Sequence, residues 1–254
     1  MEARDVRSLA DAFAWPRAYI ESLDVELVRR LSSCCLDGIN SQSSAFSGIG
    51  GFEVAMAQIC AGLDAHLNLP GRHHVPSLHC IDCDYHNQCE LMMMPSQSGC
   101  VFSDIIEFVN PAIRRNLLSR LSRLSFEDIV KVVFSPGALV LEAYCQRHMR
   151  TCRLQRAMIH AAGSPCPDWS ALGLHRHAQG TDILCTLVWF ALRLHLKEVF
   201  IIHENVPAFP VEWFDRFLGA DYAVSSSVLS LASLGWPASR KRRFTVLCLK
   251  SKAA

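Results

Sequence analysis

Four groups of residues in this chain have types and spacings suited to chemistry. The first is Phe46-Ser47-Gly48-Ile49-Gly50-Gly51, which runs straight into an apolar helical stripe. Glycines at a strand-to-helix turn let a ligand approach the backbone and leave helix N-terminal amides free to bind it. Asp82 and Asp104 follow at the ends of the next two strand candidates. There a carboxylate can accept bonds from ribose hydroxyls or from an exocyclic amine, so this order of groups points to an adenosine-containing cofactor. The second group is Pro165-Cys166-Pro167, a cysteine stiffened by two prolines behind a strand candidate that ends near Ala162. Standing alone it would read as a buried structural thiol; at a strand's carboxyl end it also sits where such folds bind ligands. The third is Glu204 in His203-Glu204-Asn205-Val206-Pro207, a carboxylate at a strand end that can hold and donate a proton. The fourth is Arg240-Lys241-Arg242-Arg243, basic residues crowded before a terminal strand, able to cap a solvated turn or to grip a nucleotide.

Such groups need a scaffold that brings distant strand ends together. Residues 5–36 have the three- and four-residue apolar spacing of a helix face, with Ile20, Leu23, Leu27, Val28 and Leu31. Asn40 to Ser44 is polar and reads as a turn. Phe52, Ala55, Met56, Ile59, Cys60 and Leu63 form the helical stripe, and Leu67 to Pro76 reads as a loop. Strand candidates lie at Leu78–Ile81, Val101–Phe102, Ala157–Ala162, Val199–His203, Tyr222–Val224 and Phe244–Leu249, many of them separated by helical patterns. Alternation of this kind predicts an α/β fold, a doubly wound and mostly parallel sheet with helices on both faces. The expected division is a helical N-terminal extension over 1–43 and a catalytic domain over 44–254, with a basic helical insertion at about 110–156.

Composition narrows the classes. Half of the 254 residues are hydrophobic and 19% are charged, which excludes a disordered tail, a collagen-like repeat or a coiled coil. The net charge of +1 excludes nucleic-acid binding by overall basicity. From Asn110 to His160, however, nine basic residues face three acidic ones, a local +6 that leaves −5 for the rest. That stretch is either a solvated helical face or a phosphate-facing surface. No signal peptide is visible, and the apolar run Ile183 to Leu192 is too short to cross a bilayer and reads as a buried helix. The expectation is an intracellular protein, nuclear if eukaryotic, with no membrane partner. Most of its 12 cysteines are then reduced core residues. The run His79, Cys80, Cys83, His86, Cys89 lacks the separated pairs usual for zinc, so it reads as ordinary packing and no metal is expected.

Taken together and in this order, the motifs resemble the DNA cytosine-5 methyltransferase family, whose members use S-adenosyl-L-methionine and have a class I, Rossmann-like fold. The family's FxGxGG turn matches Phe46, Gly48, Gly50 and Gly51 with Ile49 between them, and its acidic second motif lies at Asp82-Cys83-Asp84. Its DI pair matches Asp104 and Ile105, its PC loop Pro165 and Cys166, and its ENV triplet Glu204, Asn205 and Val206. Its QxRxR motif matches only in Arg240 and Arg242, since Ala238 stands at the glutamine; Pro167 likewise stands where a glutamine usually follows the cysteine. The resemblance implies that Phe46, Gly48, Ile49, Gly50, Gly51, Asp82, Cys83, Asp104, Ile105 and Pro165 hold the cofactor. It also implies that Cys166 adds to cytosine C6, that Glu204 holds and protonates N3, and that Arg240 and Arg242 steady the flipped base and its phosphate. The segment from Asp168 to Gly180 would close over the substrate. The target-recognition region and last motif expected of the family are not evident, so a partner chain or further C-terminal region would supply target recognition. A transfer-RNA cytosine-5 methyltransferase and a non-catalytic, methyltransferase-like regulatory protein are the alternatives.

Overall fold

The computed structural model describes residues 14–48, 50–82, 99–166, 169, 182–234 and 239–252. A seven-stranded sheet organises the chain. Its strands are β1 (Gln42–Ala45), β2 (Ser77–Ile81), β3 (Cys100–Phe102), β6 (Ile159–Ala162), β7 (Phe200–Asn205), β8 (Tyr222–Ser230) and β9 (Lys241–Leu249); β4 (Glu142–Cys145) and β5 (Arg150–Arg153) form a separate hairpin. The order across the sheet is β3-β2-β1-β6-β7-β9-β8. Strands β1, β2, β3, β6 and β7 pair in parallel, and β9 runs antiparallel to both β7 and β8. This is the expected doubly wound α/β sheet. Strand order reverses between β1 and β6, and crevices at the carboxyl ends of strands flanking such a reversal are where these folds take ligands.

Strand β1 corrects the reading of residues 40–44 as a turn. Gln-Ser-Ser-Ala is buried along its whole length. Its polarity is tolerated because its side chains are bonded: Ser43 Oγ lies 2.8 Å from His160 Nδ1, and the Gln42 amide donates to Val75 O. A buried hydroxyl with a partner loses little of its hydration energy. Residues 5–36 also differ from a single helix. Over the described part they form α1 (Trp15–Ser22) and α2 (Val25–Cys35), because the Asp24 carboxylate accepts from Leu27 N at 2.8 Å and starts a new helix. Both pack against α3 (Gly51–Leu67) around Ile20, Val28, Cys60 and Leu63. Gly62 permits the close approach, since a β-carbon there would lie 3.2 Å from Pro16.

The stretch at 110–156 is helical only in its first half. Helices α4 (Pro111–Arg120) and α5 (Phe126–Val133) precede the β4–β5 hairpin, in which β4 alternates exposed and buried residues with strand rather than helix periodicity. Arg115, Arg120, Arg123, Lys131, Arg147, Arg150, Arg153 and Arg156 are all exposed.

The main core centres on α6 (Ile183–Leu196), as the apolar run predicted. Trp189 and Phe190 are fully buried there and meet Phe214 and Phe217 of α7 (Glu212–Leu218) at ring-centroid distances of 5.1–6.3 Å. Each such side chain contributes about 1.5–3 kcal/mol by leaving water. Three histidines, His79, His160 and His203, lie within this interior on β2, β6 and β7. Trp189 Nε1 donates to His160 Nε2 at 3.0 Å, so the His160 Nδ1–H points at Ser43. Burial holds all three rings neutral: His79 and His203 titrate near about 3, and His160 well below its ordinary value. The unfolded chain binds these protons near pH ~6.5, so folding stability is complete above that pH and is lost as pH falls toward the folded-state values. Each histidine adds up to ~1.4 kcal/mol per pH unit to the slope. Denaturant titrations at pH 7.5 and 5 should therefore show a large loss of stability at the lower pH, and a flat profile would contradict neutral burial.

Candidate active site

The glycine turn begins where β1 ends. Phe46, Gly48 and Gly50 all have positive φ (57°, 53° and 84°), and Gly50 is the N-cap of α3. Glycine adopts this left-handed backbone without penalty, whereas Phe46 is held in it by Phe46 N donating to Ile81 O at 2.6 Å. A β-carbon added at Gly48 or Gly51 would meet nothing within 4 Å. These glycines therefore leave open space beside the turn.

The space beside Gly51 forms part of a cavity of about 320 Å³, lined by Phe46, Gly51, Glu53, Gly163, Glu204 and Phe244 among others. It spans the carboxyl ends of β1, β6 and β7, across the strand-order reversal. On the other side of the turn, a narrow cleft of about 10 Å³ runs between Gly48, Asp82 and Phe102 toward β2 and β3. Asp82 N donates to Phe102 O, and Ile105 N donates to Asp82 O, tying the two strand ends together. The Asp104 carboxylate accepts from Ile106 N at 3.0 Å and starts a short 3-10 turn, while Ile105 is fully buried.

Glu204 and Arg242 sit on adjacent antiparallel strands. Glu204 pairs in register with Phe244, which places Arg242 two residues along β9 on the same face. Arg242 Nε lies 2.8 Å from Glu204 Oε1, an ion pair with both side chains partly exposed, and Glu204 lines the cavity. Arg243 points to the opposite face. Its guanidinium donates to Pro207 O at 2.8 and 3.1 Å and so clamps the chain leaving β7. Arg240 is exposed just before β9.

Cys166 is half-buried, four residues beyond the end of β6. The loop leading to it is anchored at Ser164. Asn205 Nδ2 donates to both Ser164 O and Ser164 Oγ at 2.9 Å, leaving the hydroxyl to donate to His203 Nε2 at 2.9 Å. Because His203 stays neutral through burial, this arrangement holds across the physiological range. Cys166 O then accepts from Trp169 N at 3.0 Å, and Trp169 packs edge-on against Phe209 and Trp213.

The structure thus brings Phe46, Gly51 and Glu204 to one cavity, with Arg242 ion-paired to Glu204, and sets Gly48 and Asp82 at the cleft on the other side of the turn. Pro165 and Cys166 follow the anchored Ser164; the described residues lining the large cavity do not include Cys166. Ile49, Cys83 and Pro167 lie outside the described residues, as does the expected closing segment 168–180 apart from Trp169. Sequence reading missed the roles of Ser164, His203 and Arg243. Their signal is register: His203 pairs with Ala162 and Arg243 with Asn205, relations that appear only once the strands are placed side by side.

No protein-family model matches the chain, and no curated protein does. Solved structures similar to it include a putative DNA modification methyltransferase encoded within an Escherichia coli prophage, at 17% identity and TM-score 0.47, covering 84% of this chain and 47% of that one. The Schizosaccharomyces pombe Dnmt2 methyltransferase is similar at 16% identity and TM-score 0.44, covering 85% and 50%. The Entamoeba histolytica methyltransferase EhMeth is similar at 14% identity and TM-score 0.47, covering 83% and 53%. The chain spans about half the length of these structures.

Proposed function

We propose that the protein is an S-adenosylmethionine-dependent methyltransferase acting on C5 of cytosine in DNA, through a covalent adduct at Cys166. The observation that carries this reading is the Glu204–Arg242 pair at a cavity that also borders the glycine turn, with the Cys166 loop fastened to the same strand end by Asn205. One wall offers bare backbone and the other a carboxylate gripped by a guanidinium, an arrangement suited to two ligands meeting in one space.

The residues fit the cofactor. The open faces of Gly48 and Gly51 leave room for it, the cavity volume falls in the usual ligand range, and Asp82 borders the cleft beside the turn. Gly48, Gly50 and Gly51 would hold it along the turn, with Asp82 at its ribose and Asp104–Ile105 at its base. When bound, S-adenosylmethionine supplies an electrophilic methyl group.

Cytosine C5 is too weak a nucleophile to take that methyl directly. Cys166, as thiolate, adds to C6, and the electron pair of the broken C5–C6 double bond moves into the ring. Glu204 donates a proton at N3, neutralising the charge, and Arg242 fixes the carboxylate's orientation while it does so. After methylation at C5, the C5 proton passes to solvent water, Cys166 leaves C6 as thiolate with re-formation of the C5–C6 double bond, and the N3 proton returns to Glu204. A cytosine within a duplex must first be flipped out of the stack. The exposed arginines of 110–156 provide a local phosphate-facing surface on a chain of near-zero net charge. Among the described residues no helix is long and apolar enough to cross a membrane, and a DNA substrate places the protein inside the cell, in the nucleus if eukaryotic.

Transfer of labelled methyl from S-adenosylmethionine to duplex DNA tests the reading. Label in transfer RNA and none in DNA would move the substrate to RNA; label in neither would contradict methyl transfer. Gly51→Leu tests the cofactor site separately. Leucine at the first helical position meets only open space, so thermal stability should hold or rise slightly. Calorimetric affinity for S-adenosylmethionine should nonetheless fall at least ~10-fold, because the side chain fills the cavity. Unchanged affinity would place the cofactor elsewhere.

A further inference from the structure

A second site lies away from the cavity, where the β4–β5 hairpin meets the outer strand β3. Cys100 opens β3, Cys145 ends β4, His148 sits in the hairpin turn and Cys152 lies on β5. Cys145 pairs with Arg150 and Ala143 with Cys152, so the alternation of the strands puts Cys145 and Cys152 on one face of the hairpin. That face is turned to β3. Gln146 N donates to Val101 O at 2.8 Å, and the Gln146 amide donates to Ser103 Oγ at 2.6 Å. His148 Nδ1 is then 3.5 Å from Cys100 Sγ, 3.4 Å from Cys145 Sγ and 3.5 Å from Cys152 Sγ. The four ligand atoms all lie within 4.8 Å of one another.

Hydrogen bonding does not account for this convergence. A neutral imidazole nitrogen has one lone pair or one proton, and so serves one thiol rather than three. A tetrahedral metal accounts for all three distances at once. With Zn–S bonds of about 2.3 Å and Zn–N bonds of about 2.0–2.1 Å, sulfur and nitrogen on a tetrahedron are separated by about 3.5 Å. From these distances the geometry points to a structural Zn²⁺ site of Cys₃His type formed by Cys100, Cys145, His148 and Cys152.

Three thiolates with one imidazole select zinc over harder cations, and a closed set of four protein ligands marks a structural site rather than a catalytic one. Binding releases the thiol protons to solvent and leaves Zn²⁺ bound by three thiolates, a local charge of −1. Backbone N–H groups answer that charge: those of His148, Val101 and Arg147 face the Cys145 sulfur, with Val101 N at 3.4 Å. Cys145 is buried, Cys100 and Cys152 are half-buried and His148 is exposed, which gives the ion a route in. The metal would pin the hairpin across the outer edge of β3, two residues before Asp104. The sequence reading expected no metal and weighed only the run from His79 to Cys89. In this set one ligand stands 48 positions before His148, and only Cys145-x₂-His148-x₃-Cys152 was legible locally.

Metal analysis of the full chain, purified under reducing conditions and dialysed against excess free metal, tests the site. One zinc per chain is expected. Co²⁺ in its place should give the strong visible bands of a tetrahedral ion together with thiolate charge transfer. Cys152→Ser and His148→Ala should lose the metal, whereas the double variant Cys83→Ser/Cys89→Ser should keep it. Should Cys152→Ser fail to fold, His148→Cys retains four ligands and should keep one zinc with stronger charge transfer. Substoichiometric zinc in the natural protein, a weak octahedral Co²⁺ spectrum, a disulfide within the set, or metal lost with Cys83 and Cys89 would each overturn the assignment.

Discussion

Cys166→Ala should abolish methyl transfer to DNA, lowering turnover by ~10⁴-fold or more, while leaving affinity for S-adenosylmethionine unchanged. The loss is large because C5 does not become nucleophilic until C6 has gained a bond. Neither Glu204 nor Arg242 can replace that covalent step. Affinity should persist because the described residues lining the large cavity do not include Cys166. The fold should persist too, since Ser164, not Cys166, makes the bonds that fasten the loop to His203 and Asn205. Rapid-quench methyl transfer and calorimetry on the same preparation give both quantities. Retained turnover would remove the thiol from the mechanism.

The largest effect on stability is expected at Glu198. This residue and Arg193, at the end of α6, form an ion pair with both side chains fully buried. Burial pulls the arginine below its ordinary value and pushes the glutamic acid above its own, and each partner's charge opposes that trend in the other. Arg193 also lies 6.0 Å from the Trp189 ring, and Tyr222 Oη donates to Glu198 O at 2.9 Å. Glu198→Ala leaves a guanidinium in the core without its counter-charge and should cost about 3–5 kcal/mol, a large share of the ~5–15 kcal/mol typical of a folded protein. Replacing both members, as Arg193→Met/Glu198→Gln, should recover most of that loss, because the desolvation cost of two ions disappears with their attraction. Denaturant unfolding of both variants separates the cases. Equal losses in the single and double variants would mean that packing rather than charge dominates at this position.

The sheet was legible in the sequence wherever strands are made of Ile, Val, Leu and Phe, as in β2, β7 and β9. β1 escaped because Gln42, Ser43 and Ser44 are buried through hydrogen bonds, which hydrophobic periodicity does not register. The hairpin escaped because its strands are only four residues long, and β5 carries exposed arginine at both ends. At the candidate site, glycine spacing marked the turn because backbone conformation depends on residue type, and positive φ at Gly48 and Gly50 follows directly. Glu204 and Arg242 were legible one by one, but their contact depends on the β7–β9 register. The same holds for Ser164 with His203 and Asn205, and for the four residues of the metal cluster, which come from separate strands and a turn.

The central claim is a covalent bond between Cys166 and a target cytosine, and mechanism-based trapping measures it directly. Incubation with S-adenosylmethionine and duplex DNA containing 5-fluorocytosine blocks the final step, because fluorine cannot leave C5 as a proton does. The account predicts a denaturation-stable protein–DNA complex, absent in Cys166→Ala, with peptide mapping placing the DNA on Cys166 and the transferred methyl on the trapped base. Full turnover on ordinary DNA with no such complex, or a complex mapped to another residue, would contradict it.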